Sequence, residues 1–195
     1  MKKPFKNSNA ILLTGGKSRR MKKDKKFLKT EKGILIDGVI SQIERLFNDI
    51  YISVSKTSDF ILPGYKIIRD LFPDKGPLMG ILSALAESDK KTNFVIAADI
   101  PEINKDFISE LHSYTGDYDI VVPVSGKDKY EPLFAFYNRS VINEIKSMID
   151  SGTNKIVPLF FRCRTKFVKM EKNNWYRNLN TPEDYLGYLQ SLKID

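Results

Sequence analysis

The sequence predicts an α/β fold, a three-layer Rossmann-like arrangement in which helices cover both faces of a mostly parallel sheet. Short β-branched apolar runs alternate along the chain with stretches that carry apolar residues at helical spacing. The first of these runs leads directly into Gly15-Gly16, a turn in which the backbone can be approached closely. The predicted strands cover residues 10–14, 50–55, 66–69, 94–98, 119–124, 133–137 and 166–170.

Helices are predicted between these strands. The first covers 36–47, the second begins after Gly76-Pro77, and the third is capped by Asn104. Two more cover 141–149 and roughly 154–161, of which the latter contains a proline.

The last helix has the clearest beginning. Thr181 is its predicted cap and Pro182 its first residue, followed by Glu183 and Asp184 near the positive end of the helix dipole. All elements fit one domain over 1–195, with residues 1–8 as a disordered lead-in.

Composition limits the classes of partner. The net charge is +8, but many lysines are scattered, and the one dense cluster, residues 17–26, lies on the glycine turn. A small phosphorylated ligand explains that cluster as well as nucleic acid does, and nucleic-acid binding is the more remote alternative.

No apolar run approaches the roughly 18 residues of a membrane span. The single cysteine, Cys163, and single histidine, His112, exclude an internal disulfide and disfavour a histidine-based site, and we expect a cytoplasmic protein.

The glycine turn suits a nucleoside triphosphate. Glycines let backbone N–H groups approach phosphates, and the cations that follow neutralise charge. The segment matches neither a Walker A loop nor a dinucleotide-binding turn. Phe27-Leu28 returns the chain to the core just after Lys25, which places this lysine on a structured segment.

Two carboxylates end predicted strands, where ligands bind in open α/β sheets. Asp70 follows the strand at 66–69 and suits a ribose, a metal or a base. Asp99 ends the buried strand at 94–98, where it can hold Mg²⁺ against phosphate oxygens or act as a turn residue. Two further places are Glu131-Pro132-Leu133 and the amide-rich helix entry at 178–184, a fair anion site.

Taken in order, these motifs resemble the molybdenum cofactor guanylyltransferase family, within the nucleotide-diphospho-sugar transferase superfamily. The matching blocks, spread over most of the chain, are residues 13–25, Asp70 with Gly76-Pro77-Leu78-x-Gly80, Asp99-x-Pro101, Pro132-Leu133 and 178–184.

The resemblance implies the nucleotide-diphospho-sugar transferase fold and transfer of GMP from GTP to the phosphate of molybdopterin, with release of pyrophosphate. Mg²⁺ is the implied cofactor, held by Asp99. The implied catalytic residues are Lys25, Asp99 and Arg20, and the implied acceptor-binding residues are Asn178 and Asn180. The implied nucleotide-binding residues are Leu13, Thr14, Gly15, Gly16, Lys25, Asp70 and Asp99.

Two departures from the family pattern leave alternatives open. Thr14 stands where the family has Ala, and Lys22 where it has Gly. The alternatives are a nucleotidyltransferase that uses CTP or a sugar phosphate, and a non-catalytic nucleotide-binding adaptor for molybdoenzymes. GTP and molybdopterin are the expected substrates, with transient contacts to molybdoenzymes or other cofactor-biosynthesis proteins, and neither nucleic acid nor membrane is expected as a partner.

Overall fold

The chain folds into a mixed β-sheet between two layers of helices. The computed structural model describes residues 3–15, 28–30, 33–171 and 175–192. Its strands are β1 (Ser8–Leu13), β2 (Lys29–Thr30), β3 (Gly33–Ile34), β4 (Ile50–Val54), β5 (Lys66–Arg69), β6 (Thr92–Ala97), β7 (Ile120–Gly126), β8 (Lys129–Tyr130), β9 (Phe134–Asn138) and β10 (Thr165–Lys169). Its helices are α1 (Leu35–Glu44), α2 (Pro77–Glu87), α3 (Lys105–Ser113), α4 (Ile142–Asp150) and α5 (Pro182–Ser191).

The main sheet runs in the order β10-β7-β9-β6-β1-β4-β5, with β8 paired to β7. The pairs β6–β1, β1–β4, β4–β5 and β7–β10 are parallel, whereas β9 runs antiparallel to both β6 and β7. All six residues of β1 are buried, as expected for a central strand covered on both faces. The carboxyl ends of β5, β4, β1 and β6 therefore form one continuous edge.

Alternate residues of the strands supply two separate cores. On one face, Leu12 and Phe94 pack with apolar residues of α1 and α3. On the other face, Ile11 and Val95 pack with α2 and α4. Because neighbouring residues of a strand point to opposite faces, a continuous apolar run is required to fill both cores. The predicted α/β class with a mostly parallel sheet is confirmed.

The predicted helix caps are also confirmed. The Asn104 side chain accepts a hydrogen bond from the Phe107 amide at 3.0 Å and begins α3. At α5 the Thr181 hydroxyl accepts from the Asp184 amide, while the Asp184 carboxylate accepts from the Thr181 amide. This reciprocal capping box satisfies two amides that the helix itself leaves unpaired.

Two expectations are wrong in detail. Residues 154–161 do not form an α-helix, because Pro158 lies inside this span and has no N–H to donate to the Asn154 carbonyl. The structure has a 3₁₀ helix over Val157–Phe161 instead. The lead-in is also more ordered than predicted, because Phe5 is only 4% exposed and Ser8 already belongs to β1. The Phe5 amide donates to the Leu46 carbonyl, and its ring lies 5.0 Å from that of His112.

Candidate active site

A cavity of about 530 Å³ opens at the carboxyl ends of β1, β4 and β5. Leu13 and Gly15 line it from β1 and its turn, and Asp70 lines it from the end of β5. Residues from Ser53 to Thr57, at and just after the end of β4, form a further wall. The cavity therefore lies where ligands bind in open α/β sheets, at the carboxyl ends of parallel strands.

The turn after β1 is built for close approach of main chains. A Cβ at Gly15 would lie 3.3 Å from the Ser55 amide nitrogen, so the glycine lets this turn run against β4. The Thr14 amide and hydroxyl both donate to the Ser53 carbonyl at 3.0 Å. The hydroxyl that distinguishes Thr14 from the family's alanine is therefore bonded to the main chain of β4.

Asp70, at the end of β5, has a carboxylate that is partly buried and incompletely hydrogen-bonded within the described part of the chain. Its amide donates to the Val54 carbonyl at 3.0 Å, which fixes the backbone at the end of β5. Its Oδ1 is buried and, within the described part of the chain, has no hydrogen-bond partner. Burial raises the pKa of Asp70 to about 6. A buried acceptor without a donor is costly, which favours a ligand that supplies one.

Gly80 of α2 makes room for the side chains of Leu13 and Ser53 beside this carboxylate. A Cβ at Gly80 would lie 2.9 Å from Leu13 Cδ2, 3.0 Å from Ser53 Oγ and 3.5 Å from Asp70 Oδ1. The loop that leads from Asp70 into α2 ends at Gly76, whose φ of 72° is favoured by glycine. The predicted beginning of this helix at Gly76-Pro77 is confirmed.

Asp99 lies just after β6, three strands away from Asp70 along the same edge. Strand spacing puts the two strand ends about 14 Å apart. The segment 178–180 docks here, because the Leu179 amide donates to the Asp99 carbonyl at 2.9 Å. With its amide nitrogen facing the carboxylate, Asn178 Nδ2 lies 3.1 and 3.2 Å from the two oxygens of Asp99. Two motifs about 80 residues apart in sequence thus form one polar centre.

Asn180 contributes to this centre through its main chain. Its amide donates to the Asn178 carbonyl at 2.9 Å and to the Asp184 carboxylate at 3.0 Å. The capping box of α5 therefore fixes the segment that contacts Asp99.

Gly16, Arg20 and Lys25 lie outside the described residues, and their roles remain predictions.

Asp99 suits a hard divalent cation by its chemistry. Mg²⁺ is commonly bound by one or two carboxylates together with substrate phosphates and water, so it does not require a protein cage. No group of three or more histidine, cysteine, aspartate or glutamate side chains is placed to hold a metal among the residues described. A cation at Asp99 would therefore be completed by phosphate oxygens and water.

Glu131 is one of the candidate site residues named from the sequence, which does not indicate what it contacts. In the structure it lies between two hydroxyl groups. Ser125 Oγ donates to its Oε1 at 2.7 Å, and Tyr176 Oη donates to its Oε2 at 2.8 Å. Burial, followed by the charges of Glu131 and Asp99, raises the pKa of Tyr176 well above its usual range, so the phenol remains a donor. Ser125 also lines a second cavity, of about 590 Å³, at the ends of β7 and β10.

Several site residues escaped the sequence analysis, among them Ser53, Ser55, Lys56, Ser125 and Tyr176. The polar run Ser53-x-Ser55-Lys56 at the end of β4 could have indicated the first three, by the same strand-end rule that found Asp70. Ser125 and Tyr176 have no such pattern, because only the folded chain brings them to Glu131.

The helices of the described ranges are all too short or too polar to cross a bilayer. This agrees with the hydropathy of the sequence.

The sheet topology, the cavity beside a glycine turn and the strand-end carboxylates are typical of nucleotide-binding α/β proteins. The sequence profile of the MobA-like NTP transferase domain matches residues 10–163. The chain belongs to this family and is a nucleotidyltransferase. The resemblance drawn from the sequence motifs is confirmed.

Relatives of similar length carry more specific names. A Clostridium perfringens protein named "probable molybdenum cofactor guanylyltransferase" is 32% identical over 95% of this chain and 98% of its own length. A Campylobacter jejuni molybdenum cofactor guanylyltransferase is 28% identical over 95% of this chain and 97% of its own.

Solved structures show the same fold. Molybdopterin-guanine dinucleotide biosynthesis protein A from Archaeoglobus fulgidus superposes with a TM-score of 0.80 at 22% identity, over 96% of this chain and all of that one. A Mycobacterium tuberculosis protein solved in complex with manganese superposes with a TM-score of 0.66 at 13% identity, over 94% of this chain and 98% of its own.

Proposed function

We propose that this protein transfers GMP from GTP to the phosphate of molybdopterin, releasing pyrophosphate and forming molybdopterin guanine dinucleotide. Family membership and the full-length relatives named molybdenum cofactor guanylyltransferases support the reaction. The structural observation that carries it is the pairing of two sites on one sheet edge. The Asp70 cavity lies at one end of this edge, and the Asp99–Asn178 centre lies at the other.

The cavity beside β1, β4 and β5 suits the nucleoside. Asp70 Oδ1, which has no partner within the described ranges, is available to accept a hydrogen bond, and guanosine offers donors on both its base and its ribose. Leu13 supplies an apolar wall and Gly15 a close approach to the main chain. A triphosphate that extends from this cavity along the edge runs toward Asp99.

The chemistry requires alignment and charge neutralisation. An oxygen of the acceptor phosphate attacks the α-phosphorus of GTP, the bond from this phosphorus to the bridging oxygen breaks, and pyrophosphate leaves. The attacking oxygen is already anionic, so no general base is needed. Lys25 and Arg20 are proposed to neutralise the triphosphate, and Asn178 and Asn180 to face the acceptor phosphate.

A divalent cation at Asp99, which we propose to be Mg²⁺, supplies further charge neutralisation when it is bound. The carboxylate donor fits such a cation, and the manganese complex of the Mycobacterium tuberculosis neighbour supports divalent metal use. We further propose that the reaction takes place in the cytoplasm and that the product passes to molybdoenzymes or other cofactor-biosynthesis proteins through transient contacts.

The proposed function is tested by incubating the protein with molybdopterin, Mg²⁺ and one of GTP, CTP or ATP, and measuring pyrophosphate. Reactions without molybdopterin and reactions with EDTA are the controls. We expect release with GTP only, dependent on both acceptor and metal. Release with CTP instead would overturn the choice of base, and tight GTP binding without any release would identify a non-catalytic adaptor.

A further inference from the structure

The loop that follows Asp70 is held at three consecutive main-chain groups. The Asp70 amide donates to the Val54 carbonyl at 3.0 Å, and the Leu71 amide donates to Ser83 Oγ at 3.0 Å. The Leu71 carbonyl accepts from Lys56 Nζ at 2.8 Å. The three partners come from β4, from α2 and from the segment after β4, so the loop is held from different sides.

Side-chain packing does not explain why this loop is fixed. Leu71 is 46% exposed and the neighbouring Phe72 is 56% exposed, so neither side chain anchors the loop in the core. Ser83 is 1% exposed, and its hydroxyl also donates to the Met79 carbonyl of its own helix. Lys56 Nζ lies 5.7 Å from the centre of the Phe72 ring. Two hydrogen bonds therefore hold the main chain at Leu71, one from the exposed Lys56 ammonium and one to the buried Ser83 hydroxyl.

We propose that Lys56 is a positioning residue for nucleoside recognition: by holding the Leu71 carbonyl, it fixes the Asp70 carboxylate at the wall of the cavity. This inference rests on the proposed role of Asp70 in nucleoside binding. The Leu71 carbonyl lies in the peptide that follows Leu71, one residue beyond Asp70, so its release would loosen the Leu71 backbone and, through it, the main chain that carries the carboxylate. Lys56 also lines the cavity, which makes a direct contact with phosphate the competing explanation.

The test compares Lys56→Met, Lys56→Arg and Lys66→Met with the wild type. Methionine keeps much of the stem but removes the donor, whereas arginine retains donors. Lys66 is the matched control, because its Nζ also donates to a main-chain carbonyl, that of Glu87, but from the opposite end of β5. Dissociation constants are measured for guanosine and for GTP, and kcat and KM for pyrophosphate release.

We expect Lys56→Met to weaken guanosine and GTP binding by the same factor, about threefold to tenfold, as for the loss of one hydrogen bond. The value of kcat should stay within about twofold, since the reacting phosphates are not displaced. Lys56→Arg should restore most of the affinity, and Lys66→Met should bind as the wild type does. A loss confined to GTP would show a phosphate contact instead and would overturn the proposal, as would an arginine variant as impaired as the methionine variant.

Hydrogen exchange in the nucleotide-free protein separates this proposal from the proposed function. Lys56→Met should speed exchange of the Leu71 amide, whereas Lys66→Met should not. Equal exchange in Lys56→Met and wild type would overturn the proposal whatever nucleotide the enzyme uses. Failure of the wild type to release pyrophosphate from GTP would count against the proposed function alone.

Discussion

Two aspartates at opposite ends of the sheet have opposite surroundings. Asp70, at the carboxyl end of β5, has a buried oxygen with no partner among the residues that the structure describes, and burial raises its pKa to about 6. Asp89, in the loop before the amino end of β6, accepts hydrogen bonds from Asn9 at 2.8 Å, Lys90 at 2.9 Å and Tyr51 at 3.0 Å. These bonds lower the pKa of Asp89.

The difference separates a carboxylate that serves the fold from one that serves a ligand. Asp89 joins a network that also includes the buried side chains of Asn9, Ser88 and Asn93 at the amino ends of the central strands. An unpaired Asp70 makes the folded state less stable than a satisfied carboxylate would, and the nucleoside that we propose to bind there would offset this cost. The Asp70 carboxylate therefore keeps hydrogen-bonding capacity, whereas the Asp89 carboxylate uses its capacity internally. Within the described residues, Asn9 Oδ1 of the same network is also buried without a partner, so the contrast is between the two carboxylates and not between the two edges.

The largest expected effect lies at the other carboxylate of the carboxyl edge. Asp99→Ala should lower kcat by about 100-fold or more, because the charge that faces the phosphates through a metal is lost. Its melting temperature should fall only slightly, since the bond from the Leu179 amide to the Asp99 main chain is kept while the contact of the carboxylate with Asn178 is lost. Asp106→Ala, which removes an exposed carboxylate in the first turn of α3, is the control. Near-normal turnover of Asp99→Ala would remove the metal role.

A smaller effect is expected from filling the space beside Asp70. Gly80→Ala should weaken GTP binding about tenfold, because its methyl group would displace the side chains of Leu13 and Ser53, which line the cavity beside Asp70. Gly187→Ala in α5 is the matched control, since a Cβ there meets nothing within 4 Å. Both variants gain helix propensity, so only a difference in nucleotide affinity reports on the cavity. Equal affinities would show that the space beside Gly80 is not used.

The smallest effect is a dependence of stability on pH. Because the pKa of Asp70 rises from 3.8 in the unfolded chain to about 6 on folding, its contribution to stability is complete below 3.8 and is lost as pH rises through about 6. Asp70→Asn should therefore gain stability over the wild type between pH 4 and 7. We expect about 1 kcal/mol by chemical denaturation, after allowance for partial exposure of the side chain. A difference in stability between Asp70→Asn and the wild type that does not change with pH would contradict a raised pKa of Asp70 as its cause.

The strands and strand-end carboxylates that depend on local sequence pattern could be predicted from the sequence alone. Continuous apolar runs identified β1 and β6, and the strand-end rule pointed to Asp70 and Asp99 before any contact was known. The polar segment 178–180 was recognised as a site, but its contact with Asp99 depends on tertiary packing.

Other features were beyond local pattern. The antiparallel direction of β9 depends on its pairing with β6 and β7, which an apolar run does not specify. Phe5 is a single aromatic residue in a basic, polar segment, so no periodicity marked it as buried. Nothing in the sequence distinguishes Lys56 from the other lysines, because its bond to the Leu71 carbonyl exists only in the folded chain.

The central claim is that Asp70 is kept for a nucleoside, whereas Asp89 is kept for the fold. It is tested most directly by measuring the GTP dissociation constant and the melting temperature of Asp70→Asn and Asp89→Ala side by side. We predict that Asp70→Asn binds GTP at least about tenfold more weakly without melting earlier. We predict that Asp89→Ala melts earlier but binds GTP as the wild type does. Wild-type GTP affinity in Asp70→Asn would contradict the claim.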